Sequence, residues 1–148
     1  DAAHHVPLLS KRLLDFLGQL RHRVQSGEIG PQRLGIVGIG ATSPVAIRVA
    51  ATRDHDIGAL VCHGGLIDLA GMLYLRSLRA PLLLLSNPGA PGLNAVAQRA
   101  LREIPAETAL QTLLPAERET PPDVPGSLAH HAAAWFGRFL APPDAAKP

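Results

Sequence analysis

The sequence predicts an α/β fold, three layers with a mainly parallel sheet between helices, on three observations. Short apolar runs alternate with longer segments of helical spacing, giving a helix and then strand and helix four times over. The run 81–86 holds four consecutive leucines, and a strand that is apolar at every position is covered on both faces. Finally, Arg33-Leu34-Gly35-Ile36-Val37-Gly38-Ile39-Gly40-Ala41-Thr42-Ser43-Pro44 carries an apolar strand through a glycine turn into a helix. Such turns lie at the carboxyl end of a parallel sheet, where ligands and nucleophiles gather.

Each element has its own signal. Pro7 fits the first turn of the opening helix, which sets Leu9, Leu13, Leu17, Leu20 and Val24 on one face. Residues 26–31 end it at Ser-Gly-Glu-Ile-Gly-Pro, and the strand 33–39 follows. A helix over 43–52 tolerates Pro44 because the first amides of a helix need no partner. The second strand is 57–62, closed by His63-Gly64-Gly65. Asp68 caps a helix to about Leu78, with Leu69, Met72, Leu73 and Leu75 or Leu78 inward. After the leucine strand, Asn87-Pro88-Gly89-Ala90-Pro91-Gly92 is a loop, and 93–104 a helix with Val96, Ala97, Ala100 and Leu101 inward. A fourth strand covers 108–114 and a polar, proline-rich loop 117–125. The last helix, 127–140, turns Leu128, Ala132, Trp135, Phe136 and Phe139 inward. Residues 1–141 form one domain and 142–148 a tail.

Composition narrows the partners. With 47% apolar and 18% charged residues in 148, the chain is globular. Net charge is only +2, aromatics are 3%, and no basic patch is interleaved with aromatics, which argues against nucleic acid. The single cysteine, Cys62, excludes an intrachain disulfide and suits a reducing compartment, so a cytoplasmic location is expected. No apolar run approaches the roughly 20 residues that span a bilayer, and no membrane partner is expected. The start at Asp1 without methionine suggests a cleaved product or a segment of something longer.

Several phrases, in order, carry a family resemblance. They are Val6-Pro7-Leu8-Leu9, Leu34-Gly35-Ile36-Val37-Gly38, His63-Gly64-Gly65 with Asp68-Leu69-Ala70-Gly71, Arg79-Ala80-Pro81-Leu82-Leu83, and Trp135-Phe136. Together they resemble the second half of a dienelactone-hydrolase-like α/β-hydrolase, of the sort sometimes fused to a phosphoribosyltransferase. The resemblance implies a partial α/β-hydrolase fold and a nucleophile elbow of the form Gly-x-Ser-x-Gly. Here those five positions read Gly38-Ile39-Gly40-Ala41-Thr42, with glycine in the serine's place. The family acid would fall in Asn87 to Pro91, which holds no Asp or Glu. The family histidine would fall in Glu117-Arg118-Glu119-Thr120, which holds no histidine. The resemblance also implies strands before the first helix, and their absence leaves the strand 33–39 as an open edge that attracts another strand.

Other residues compete for a role. Ser43, before Pro44, reads as a helix cap ahead of a nucleophile, with Thr42 the neighbouring hydroxyl. Cys62 and His63 alternate across a strand, so they do not form a catalytic pair; Cys62 reads as a core thiol and His63 as a strand-end residue near the pocket. His63-Gly64-Gly65 echoes lipase oxyanion loops after a different strand. His4-His5 and His130-His131 lack further ligands at metal spacing, and no metal or cofactor is expected. Asp54-His55-Asp56 reads as solvated charge in a turn. Gly38-x-Gly40-x-x-Ser43 lacks the third glycine of a dinucleotide fingerprint, and no ribose-binding acid ends the next strand.

The leading functional expectation is a catalytically silent hydrolase-like domain serving as scaffold or binding module. Its partner would be another chain or a second copy, docked through the strand 33–39. The alternative is a residual ester or lactone hydrolase using Ser43 or Thr42 with His63 or a partner's histidine as base. A third reading is a small-molecule site without turnover at Gly40, Ala41, His63 and Asn87.

Overall fold

A computed structural model describes residues 2–26, 33–87, 91–113 and 127–140. The expected segments 27–31, 88–90, 114–126 and 142–148 lie outside the described residues. Within them the order is α1 (Ala2–Gln25), β1 (Leu34–Ile39), a 3₁₀ turn (Gly40–Thr42), α2 (Ser43–Thr52), β2 (Ile57–His63), a second 3₁₀ turn (Ile67–Ala70) and α3 (Met72–Ser77). Then follow β3 (Leu82–Ser86), α4 (Pro91–Arg102), β4 (Thr108–Thr112) and α5 (Leu128–Phe139).

The four strands form one parallel sheet in the order β1-β2-β3-β4, so each strand pairs with its neighbour in sequence. Every residue of β2 and β3 is buried, as two-sided cover requires. One face meets α1, α2, α3 and α4 through Val6, Leu17, Ile47, Val49, Leu60, Leu75, Leu82 and Leu101. The other meets α5, where Ala59, Val61, Leu83, Leu85 and Leu113 pack on Ala132 and Trp135. Trp135 also donates its indole N–H to the Pro81 carbonyl at 3.2 Å, tying α5 to the mouth of β3. Trp135→Phe keeps most of the apolar contact and leaves that carbonyl with the Leu60 N–H as its remaining donor. It should cost about 1–2 kcal/mol in urea unfolding, the range of one lost hydrogen bond plus a small void.

The backbone bonds show which side of β1 is open. Leu60 N–H donates to Pro81 O at 2.9 Å and Gly64 N–H to Leu85 O at 2.8 Å, so the even amides of β2 face β3. Its odd amides therefore face β1. On β1 the Leu34 N–H donates to Asp56 O at 2.8 Å, and the pairing of Ile36 with Leu60 and Val37 with Val61 keeps even residues turned toward β2. The peptide groups of Gly35, Val37 and Ile39 point away from the sheet. Among the described residues β1 is an edge, with Val37 43% and Ile39 53% exposed.

Three expectations need correction. The helix expected after Asp68 is two pieces: Asp68 lies inside the 3₁₀ turn, and Gly71 at φ +97° breaks the chain before α3. The break rotates α3, so Leu75 and Leu78 are buried while Met72 and Leu73 are exposed. Helix α1 begins at Ala2, which puts Pro7 inside it and not in its first turn; the Ala2-Ala3 start favours helix ahead of the proline. Leu17 is buried and Leu9, Leu13 and Leu20 pack half-buried as expected, while the Val24 side chain lies outside the described residues. Ser43 is the first residue of α2 and not its cap, because the helix continues directly from the 3₁₀ turn.

Candidate functional site

The strand-to-helix turn positions the site. Gly38, at the end of β1, lets α2 lie close: a Cβ there would stand 2.9 Å from Ser43 Cα and 3.0 Å from the Thr42 carbonyl. Two residues on, Gly40 sits at φ +56°, in the left-handed region that side chains avoid, and a Cβ there would meet nothing within 4 Å. The tip of the turn thus has the backbone and the open space that an elbow nucleophile uses, and carries a hydrogen atom in its place.

The hydroxyls nearby are engaged. Ser43 is fully buried, and its Oγ donates to the Gly38 carbonyl at 3.3 Å. Thr42 is exposed, and its Oγ1 both accepts from the Ile39 N–H and donates to the Ile39 carbonyl, each at 2.8 Å. Ala41, also exposed, precedes Thr42 in the turn.

The loop after β2 closes over the elbow. Gly64 and Gly65 have φ +66° and +80°, and Gly65 lies so close to the Gly40 carbonyl that a Cβ would overlap its oxygen. His63, 6% exposed, bonds through Nε2 to Asn87 Oδ1 at 3.2 Å, which joins the ends of β2 and β3. Since Oδ1 only accepts, Nε2 is the donor there, so the ring nitrogen that a triad histidine turns to its nucleophile is here bonded to a neutral amide. The sequence brought Gly40, His63 and Asn87 to one end of the sheet, and the structure adds Gly65 beside them. Its signal was the Gly64-Gly65 pair, readable as a sharp turn but not as an elbow contact.

Cys62 points to the other face, with Sγ 3.8 Å from the Ser43 carbonyl. Burial pushes its thiol from 9.0 up to about 12, and the weak bond to Ser43 only partly offsets this. The folded state therefore holds this proton through the alkaline range in which an unfolded thiol has lost it. Stability contributed by the group is intact below pH 9 and falls between about 9 and 12, at roughly 1.4 kcal/mol per pH unit. Urea midpoints across that range check the slope, and Cys62→Ala should flatten it. Among the other charges, Arg21 and Arg53 each lie 3.6 Å from Asp56, and Arg76 pairs with Glu103 at 3.0 Å. His130 and His131 meet edge to face, and among the described residues no three His, Cys, Asp or Glu converge on a point. The side chains of His4 and His5 lie outside the described residues. No described helix is long and apolar enough to cross a membrane.

A parallel sheet with helices on both faces and a positive-φ tip between strand and helix is the architecture of an α/β-hydrolase fold. Within that class the chain resembles dienelactone hydrolases. It is similar to dienelactone hydrolase from Anabaena variabilis, with 25% identity and a TM-score of 0.74 over 91% of this chain and 61% of that one. It is also similar in fold to the acylaminoacyl peptidase of Pyrococcus horikoshii, with 15% identity and a TM-score of 0.54 over 85% of this chain and 27% of that one. The chain thus spans less than two thirds of either relative's length. No protein-family model and no curated protein sequence matches it.

Proposed function

We propose that the chain is a catalytically silent α/β-hydrolase-like domain that serves as a scaffold or binding module and associates through β1. The observation that carries this is the elbow, where Gly40 occupies the strained, open tip and the adjoining hydroxyls of Thr42 and Ser43 are turned back onto the backbone. A serine is a weak nucleophile unless a base takes its proton and an acid orients that base. His63 bonds to an amide, and Ser43 is enclosed. A fluorophosphonate probe should leave the protein unlabelled, and a chromogenic ester should turn over no faster than in buffer. Labelling that Ser43→Ala abolishes would overturn the reading.

A second reading keeps the chemistry. The likeness to dienelactone hydrolase at 25% identity supports a residual ester or lactone hydrolase, with Thr42 or Ser43 released by motion of the turn and His63 or a partner's histidine as base. The same assay decides between the two. The third reading, a ligand held without turnover by Gly40, Ala41, His63 and Asn87, would appear as a rise in melting temperature in a small-molecule screen.

A further inference from the structure

Helix α3 joins β2 to β3 and α4 joins β3 to β4, so the two helices flank β3. They differ in length. The break at Gly71 leaves α3 only six residues against the twelve of α4, so α4 packs on the 3₁₀ turn 67–70 and keeps a flank that α3 covers only in part. A groove of about 410 Å³ results. Leu75 and Ala100, 1% and 5% exposed, floor it, and Val96 and the 48% exposed Met72 line its sides. That size and that apolar lining are those of a small-molecule site. Four charged residues edge the groove. Glu103 is taken by Arg76 at 3.0 Å. Among the described residues, the side chains of Arg99, Arg102 and Asp68 make no ion pair or hydrogen bond. The two arginines stand one turn apart at the end of α4, so two unpaired cations share the groove with one unpaired carboxylate.

We propose that this groove binds a straight-chain alkyl carboxylate of medium length, its chain laid over Met72, Leu75, Val96 and Ala100 and its carboxylate held by Arg99 and Arg102. Such a site is separate from the elbow and needs none of its chemistry. Folding leaves Met72 half in water, and covering it with a hydrocarbon chain is favourable. The arginines set the sign of the head group, because one anion between them supplies the partner that each lacks. The facing stretch of α3 is about 9 Å long at 1.5 Å per residue, under two turns of a docked helix. The groove therefore suits a small amphiphile and not a segment of another protein.

Calorimetric titration with decanoate, below the concentration at which it forms micelles, should show one saturable site. Each methylene removed, through octanoate to hexanoate, should weaken binding about two- to fourfold, as expected of a chain partly buried along its length. Decyltrimethylammonium, the same chain under the opposite charge, should bind more weakly. Met72→Glu, at an exposed position, should keep the melting temperature and reverse the preference between the two head groups. Arg99→Gln combined with Arg102→Gln should weaken decanoate by roughly two- to thirtyfold, the worth of two exposed ion pairs, without weakening decyltrimethylammonium. Absence of saturable decanoate binding overturns the proposal, and so does equal binding of the two head groups. Decanoate affinity untouched by both sets of substitutions would place the ligand elsewhere, and overturns it as well.

Discussion

Gly65→Ala should lower stability by roughly 2–5 kcal/mol, combining the cost of a left-handed non-glycine residue with overpacking. The native φ of +80° disfavours any side chain, and the added Cβ would overlap the Gly40 carbonyl oxygen. The obstacle is backbone on both sides, so no rotamer change relieves it; either the loop after β2 or the elbow must move. Thermal unfolding should shift downward by roughly 5–15 °C, at about 2–4 °C per kcal/mol for a domain of this size. Gly40→Ala is the comparison, since its φ of +56° is also positive but its Cβ meets nothing. It should cost only about 1–2 kcal/mol, the strain without the collision. Equal losses in the two variants would mean that the loop and the elbow are not in contact.

Gly40→Cys should create a thiol that reacts with a disulfide reagent like a free cysteine. The side chain projects into open space, and an unperturbed thiol is partly ionised near pH 8, its pKa being about 8.5. The native Cys62 is the internal reference: wholly buried and pushed up to about 12, it reacts only when the domain opens. For a stability of about 5 kcal/mol, opening is rare enough to separate the two rates by roughly a thousandfold or more. Stopped-flow or manual labelling in native buffer reads both thiols in one protein. A slow, single-phase reaction of both would show that the tip at residue 40 is covered.

The sheet was legible because it is written twice, in the leucine run of β3 and in the unbroken apolar β2, each needing cover on two faces. The elbow was legible from Gly38 and Gly40, since close approach and a positive φ are jobs that glycine alone does cheaply. Helix α3 was not, because Asp68 and the leucines after it have helical spacing, and the break depends on one glycine, Gly71, that a helix pattern tolerates on paper. The role of Thr42 was hidden for a different reason. As a residue type it suggested only a spare nucleophile, and the geometry of the turn reveals that its partner is the outward peptide group of Ile39. Ser43 was placed near the right position with the wrong bond: its hydroxyl serves the end of β1 and not the start of α2.

The bond between His63 and Asn87 also sets what one side-chain atom could change at this end of the sheet. Replacing the terminal amide nitrogen of residue 87 by oxygen would put a negative charge against an imidazole already gripped at 3.2 Å, without rebuilding either strand. A side chain at residue 40 would have open space around it. Charge could therefore reach this end of the sheet through the change of one side-chain atom, with no new strand or turn.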